Sequence, residues 1–278
     1  MSLQAVRLLH VGLTVAALGP AAAFYVALGF TADAATQADP ALARLLGAER
    51  IAVQRLRRGG QALELAAFDP PGAAYPPGSR SDDLWFQHCA LPVADMEAAV
   101  ARLPGHVAIS RGGPQRLPER AGGVAAYKFR DPDGHPLELI QFPQPRGAGD
   151  GIDHSAIGVA DAGRSIAFYR GTLGMKLGSR AVNAGPEQDA LDGLDGVAVD
   201  VVALLPEHPA PHVELLGYRT PRGRAALALR PADIAATRLA LQVRGLAAHP
   251  GAALLANGAR AALLHDPDGH ALLLLEVA

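Results

Sequence analysis

The chain has 278 residues, enough for one large domain or two of ordinary size. Half of it is apolar and 19% is charged, with a formal net charge of -2 and no Lys/Arg run, which argues against nucleic acid and anionic membranes as partners. Cys89 is the one cysteine, so no internal disulfide forms, which is consistent with a cytoplasmic location.

The first element is an apolar stretch, LLHVGLTVAALGPAAAFYVALGF, over residues 8–30. Alone it could pass for a signal peptide or a membrane span. His10, Gly19 and Pro20 interrupt it, and the same pattern recurs deep inside the chain. It reads instead as an opening strand followed by a helix over 17–28, with strands predicted at 51–57 and 61–68. A second unit opens at QHCALPV, continues with a helix over 95–103 that starts at an Asp95 cap, and ends in strands at 124–130 and 137–142. A third opens at IDHSAIGV, with a helix at 162–172 and strands at 197–204 and 212–217. A fourth opens at TRLALQV near 237 and ends in strands at 260–265 and 271–277, with a stunted helix between.

These units are repeats. His10 aligns with His154, Val15 with Val159, and Phe24-Tyr25 with Phe168-Tyr169. FRDPDGHPLELI, from Phe129, matches LHDPDGHALLLL, from Leu264, and the shared DPDGH is a hairpin turn between apolar runs. The expected organisation is therefore two homologous halves, 1–145 and 151–278, joined by the Pro/Gly-rich segment FPQPRGAGDG. The fold class is α+β, with four βαβββ modules.

This pattern resembles the vicinal oxygen chelate superfamily, which includes glyoxalase I, extradiol ring-cleaving dioxygenases and bleomycin resistance proteins. The resemblance rests on the H-x-x-L-x-V strands, the LGF or LGM after a helix, and DPDG-x-x-x-E. It implies two cup-shaped half-barrels, each built from two modules. It also implies metal ligands on the first and last strand of each module. Carried over, the first module offers His10 and Glu64, the second His88 and Glu138, and the third His154 and Glu214. In the fourth, Arg238 and Leu273 occupy the ligand positions, so one complete site is expected.

Two pairings are open. If the first and second modules share a cup, the metal set is His10, Glu64, His88 and Glu138. If the second and third do, it is His88, Glu138, His154 and Glu214. The likeness of LLHVGLTV and ALELAAF to bacterial glyoxalase I favours the first pairing, with Glu138 and Glu64 as catalytic carboxylates. His88 and Glu138 belong to the site either way.

Imidazole and carboxylate together suit one divalent ion, Ni²⁺, Zn²⁺, Fe²⁺ or Mn²⁺. The resemblance implies a lyase or isomerase of glyoxalase I type acting on a small-molecule substrate, as a monomer or homodimer. An Fe²⁺ ring-cleaving dioxygenase is the alternative, although Lys128 stands where the extradiol signature has a Tyr, with Tyr127 one residue early. A non-catalytic small-molecule-binding protein is the third reading. Trp85, Phe86 and Tyr127 read as core or pocket wall, and Asp131, Asp133, His135 and His270 as turn residues. The segment GPEQDALDGLDG, 185–196, reads as a variable stretch over the cavity with solvated acids.

Overall fold

The computed structural model describes residues 3–144 and 151–276, so most of the linker, 145–150, lies outside the described residues. The first module runs β1 (Gln4–Thr14), α1 (Leu18–Ala27), two short strands β2 (Thr31–Ala32) and β3 (Thr36–Gln37), α2 (Pro40–Leu45), β4 (Arg50–Arg58) and β5 (Gln61–Asp69). The second has β6 (Gln87–Pro92), α3 (Met96–Ala101), short strands β7 (Val107–Ala108) and β8 (Gln115–Arg116), β9 (Ala125–Arg130) and β10 (Pro136–Gln141). The third has β11 (His154–Gly158), α4 (Ala162–Leu173), β12 (Lys176–Ala184), α5 (Pro186–Asp192), β13 (Ala198–Leu205) and β14 (His212–Thr220). The fourth has β15 (Arg238–Arg244), a single 3-10 turn in place of a helix (Leu246–Ala248), β16 (Ala253–Leu254), β17 (Arg260–His265) and β18 (Ala271–Glu276).

Local chemistry sets these boundaries. Asp95 and Asp161 cap α3 and α4 by accepting from the backbone N–H of Ala98 and Arg164, and Gly174 closes α4 in the left-handed region. The apolar run at 8–30 forms β1 and α1, and among the described residues no helix is long and apolar enough to cross a membrane. The long strand β12 and the helix α5 were not expected from sequence, because exposed β12 lacks the alternation that marks a half-buried strand.

Two nine-stranded sheets result, and each draws one module from either half of the sequence. One has the order β16-β17-β18-β15-β1-β5-β4-β2, with β3 on β4; the other runs β12-β13-β14-β11-β6-β10-β9-β7, with β8 on β9. The first module therefore joins the fourth, and the second joins the third. In both sheets the opening strands meet antiparallel, β1 on β15 and β6 on β11. Each opening strand also pairs in parallel with the last strand of its own module.

Strand alternation then sorts the side chains. Cys89, Leu91, Leu137, Leu139 and Ile157 enter the main core together with Leu8, Val11, Leu65, Leu241 and Leu272 of the other sheet. Ala90, Ile140 and Ala156 point the other way, into small clusters lining a concave face. The main core thus lies between the two sheets, and each sheet keeps its own cup.

The DPDGH turns stitch consecutive modules across the two sheets. Gly134 takes φ 101° in the turn between β9 and β10. Asp131 accepts from the backbone N–H of Asp133 and His135 and from the Tyr25 hydroxyl on α1 at 2.8 Å. His135 places Nδ1 2.9 Å from Asp131 and Nε2 3.0 Å from the carbonyls of Thr14 and Ile234. The matching turn in the fourth module uses Asp266 with Tyr169 of α4 and His270 with the Gly158 carbonyl. The two turn histidines are therefore buried structural groups, as the turn reading expected, with partners that only the fold reveals.

Candidate metal centre

The register of each sheet decides which side chains meet. In β6 and β10, Ala90 pairs with Glu138; in β11 and β14, Ala156 pairs with Glu214. Across the antiparallel seam, His154 lies opposite Ala90 and His88 opposite Ala156. Each histidine sits two residues before the small residue beside its own glutamate, so all four side chains share one face of the sheet. They converge at the floor of a cavity of about 500 Å³. Its walls carry Leu117, Val124, Ile140 and Leu216.

The distances are close. His88 Nε2 lies 3.0 Å from Glu138 Oε2. His154 Nε2 lies 3.7 Å from Glu138 Oε2 and 3.6 Å from Glu214 Oε1. His88, Glu138 and His154 are all buried and offer donor atoms close enough to share one ion. Donor atoms each about 2.1 Å from one ion lie roughly 3.0–3.4 Å apart, so this spacing fits a divalent cation. His154 Nε2 is buried without a hydrogen-bond partner, an arrangement that costs free energy unless something binds there. On the other side of that ring, Nδ1 lies 2.9 Å from Asp153 Oδ2. A carboxylate there draws the proton to Nδ1 and turns the Nε2 lone pair toward the cavity.

The electrostatics favour a cation at this floor. Burial opposes charging His154, but Glu214, Asp153 and Glu138 outweigh it and hold the imidazole well above its usual range. For Glu138, burial is outweighed by the neighbouring His154 and His88 imidazoles and by the Lys128 charge, so its carboxyl stays well below the usual range. His88 falls to about 4, chiefly by burial, helped by the charge of Lys128 and opposed by Glu138. A metal ion competes with protons for such a set, and here it would take the place of the proton on His154.

His10 and Glu64 stand elsewhere. They face the cup of the other sheet, with His10 Nε2 3.5 Å from Glu64 Oε1, beside a cavity of about 550 Å³. The set His10, Glu64, His88 and Glu138, which the sequence favoured, is not gathered in the structure, because β1 and β6 belong to different sheets. This corrects the preferred pairing, and it removes Glu64 from the neighbourhood of Glu138. Opening-strand motifs are alike in both cups, while the seam between modules is a tertiary choice. The fourth-module expectation fits the geometry. Arg238 lies opposite Gly12, where His154 lies opposite Ala90, and Leu273 pairs with Ala240, where Glu138 pairs with Ala90. Arg238 gives its Nη1 to Thr14 Oγ1 and to the carbonyls of Pro231 and Ala236, and its guanidinium lies over Phe68. Glu64 is bonded by Arg55 at 3.0 Å, and burial of its carboxyl is outweighed by His10 and Arg55, which hold it down at about 2.

Three residues escaped sequence reasoning. Asp153 was hidden in plain view beside His154. Asp192 and Gln188 belong to the 185–196 segment, whose acids were expected to be solvated. Asp192 is instead fully buried against Lys128, and Asp189 accepts from the backbone N–H of Gly196 and Val197. Pro186 signals a helix start, but not which face of that helix is buried.

A family model described as the glyoxalase/bleomycin resistance protein/dioxygenase superfamily matches residues 7–139 and 151–274. No curated protein matches the chain. Among solved structures, glyoxalase I from Zea mays aligns at 18% identity over 97% of this chain and 92% of that one, with a TM-score of 0.63. A glutamate-to-glutamine mutant of the same maize enzyme gives 18% identity over 99% and 94%, with a TM-score of 0.64. A proposed dioxygenase from Bacillus subtilis gives 13% identity over 98% and 86%, with a TM-score of 0.57. At these identities the likeness is one of fold.

Proposed function

Because this chain belongs to the glyoxalase/bleomycin resistance protein/dioxygenase superfamily, we propose that its second–third cup holds one divalent cation on His88, Glu138, His154 and Glu214, and that the protein is a metal-dependent lyase or isomerase of glyoxalase I type. The observation that carries this reading is the unpartnered His154 Nε2, buried and facing two carboxylates at 3.6 and 3.7 Å. The maize glyoxalase I structures support it by fold. When bound, the cation supplies Lewis acidity toward a substrate carbonyl, which makes the neighbouring C–H acidic.

The chain's own residues divide the remaining work. Glu138 lies against both histidines and is the anchoring carboxylate. Glu214 touches only His154 among these ligands, at 3.6 Å, and lines the cavity, so it has room to swing. It is the group placed to take the proton from carbon and return it to the neighbouring carbon. Asp153 keeps His154 oriented throughout. Leu117, Val124, Ile140 and Leu216 give the cavity an apolar wall against which the hydrocarbon part of a substrate can rest.

The test is solvent exchange. Protein loaded with Ni²⁺ or Zn²⁺ in D₂O should introduce deuterium at the carbon beside the carbonyl of a 2-hydroxyketone, or of a hemithioacetal formed from a 2-oxoaldehyde and a thiol. Glu214→Gln should abolish the exchange while metal stays bound. Metal-loaded protein that exchanges none of these, yet consumes oxygen with catechols when loaded with Fe²⁺, would replace this reading with ring cleavage.

A further inference from the structure

Lys128 lies across β9 and β10 from Glu138, in direct register. It is 3% exposed and borders the cavity of the second–third cup. The residues at the same register in the other modules are Arg55, Ala203 and Leu263. Arg55 bonds its glutamate directly, whereas Lys128 does not. Among the described residues the one hydrogen bond of its ammonium runs to Asp192 Oδ1, at 2.7 Å. The other oxygen of Asp192 accepts from Gln188 Nε2 at 2.8 Å.

That second bond fixes the orientation of the Gln188 amide, since a carboxylate requires the N–H₂ end. Gln188 Oε1 is then turned away, and it is buried without a hydrogen-bond partner. An ammonium carries three N–H donors, of which Lys128 spends one. Lys128 and Gln188 are bonded to the two oxygens of one carboxylate and both border the cavity, so unused donors and an unused acceptor are anchored to the same group. A hydroxyl answers both, because its oxygen accepts from Lys128 while its hydrogen goes to Gln188 Oε1. A carboxylate answers Lys128 but sets its lone pairs against those of Gln188 Oε1. A methyl group leaves both unsatisfied, which is costly in a buried site.

We propose that Lys128 and Gln188 form a hydroxyl-recognising subsite, so that the substrate of this cup carries a third oxygen, as a hydroxyl, beyond the two taken up at the cation. The proposal rests on the metal-cup reading above and adds the class of substrate to it. Asp192 is the positioning residue, holding the ammonium away from Glu138 and the amide in one orientation.

Hydroxamates, which chelate through two vicinal oxygens, provide the probes. Binding to Zn²⁺-loaded protein is measured by calorimetry for acetohydroxamate, glycolohydroxamate, 3-hydroxypropanohydroxamate and the carboxylated oxalohydroxamate. At least one hydroxylated probe should bind roughly tenfold more tightly than acetohydroxamate, the yield of one good buried hydrogen bond. Gln188→Met, which leaves the Lys128–Asp192 pair in place, should erase that advantage, so that hydroxylated probe and acetohydroxamate bind the variant with similar Kd. The double variant Lys128→Met/Asp192→Leu, which removes both charges together, should do the same. The subsite is overturned if no hydroxylated probe gains, if oxalohydroxamate gains most, or if the advantage survives in Gln188→Met. Failure of acetohydroxamate itself to bind would instead bring down the metal-cup reading, and the subsite with it.

Discussion

The second–third cup and the first–fourth cup share strand order and, at the ligand positions, register, yet they hold different chemistry at the same four positions. One brings His88, Glu138, His154 and Glu214 together; the other has His10, Glu64, Arg238 and Leu273. The residue across from each glutamate matters as much as the ligand positions. In one cup Arg55 neutralises Glu64 directly, and in the other Asp192 draws Lys128 aside so that Glu138 stays with the histidines. Under the proposed function, a few side chains on a shared strand order distinguish the metal cup from its counterpart, which is how a single fold hosts unrelated sites.

The largest effect should come from rewriting the first–fourth cup. Arg55→Ala, Arg238→His and Leu273→Glu together free Glu64 and restore both missing ligands. A folded triple variant should hold a second divalent ion per chain, read by metal analysis. If it still holds one, cup shape rather than ligand identity separates the two. Next in size is Asp153→Asn, which weakens the partner of His154 Nδ1. It should cost about 10–100-fold in metal affinity, as loss of such an orienting carboxylate does.

A smaller effect tests the joint between the cups. Tyr25→Phe removes a buried hydroxyl bond to Asp131 and should lower stability by about 1–3 kcal/mol in denaturant unfolding, with no change in metal content. The smallest is a pH effect at His135. Burial opposes its charge, but Asp131 outweighs burial and holds the imidazole above its usual value, while burial of Asp131 is outweighed by His135, which holds that carboxyl low. The raised histidine contributes fully below its unfolded value of about 6.5 and loses that contribution as pH rises through the folded value. The lowered Asp131 contributes above about 3.9 and loses its share as pH falls through its folded value. The Tm difference between wild type and His135→Gln should therefore be widest between about pH 4 and 6.5 and should narrow as pH rises.

Much of this was legible in the sequence because repeats carry it. The aligned openings at His10 and His154, the DPDGH turns and the capped helix at Asp95 place the modules and their ligand positions. The missing ligands at Arg238 and Leu273 were equally plain. The pairing of modules was not, because β1 could meet β6 or β15 with the same local pattern, and only packing between sheets chooses. The Lys128–Asp192–Gln188 cluster was also out of reach, since 60 or more residues separate Lys128 from its partners and nothing in the local pattern of 185–196 marks Asp192 as buried.

The proposed function places the metal in one cup and not in the other. Divalent ion content should be measured on purified protein reconstituted with Ni²⁺ or Zn²⁺, for wild type, His154→Ala and His10→Ala. One ion per chain is expected in wild type and His10→Ala, and none retained in His154→Ala. Loss of the ion in His10→Ala with retention in His154→Ala would contradict that placement.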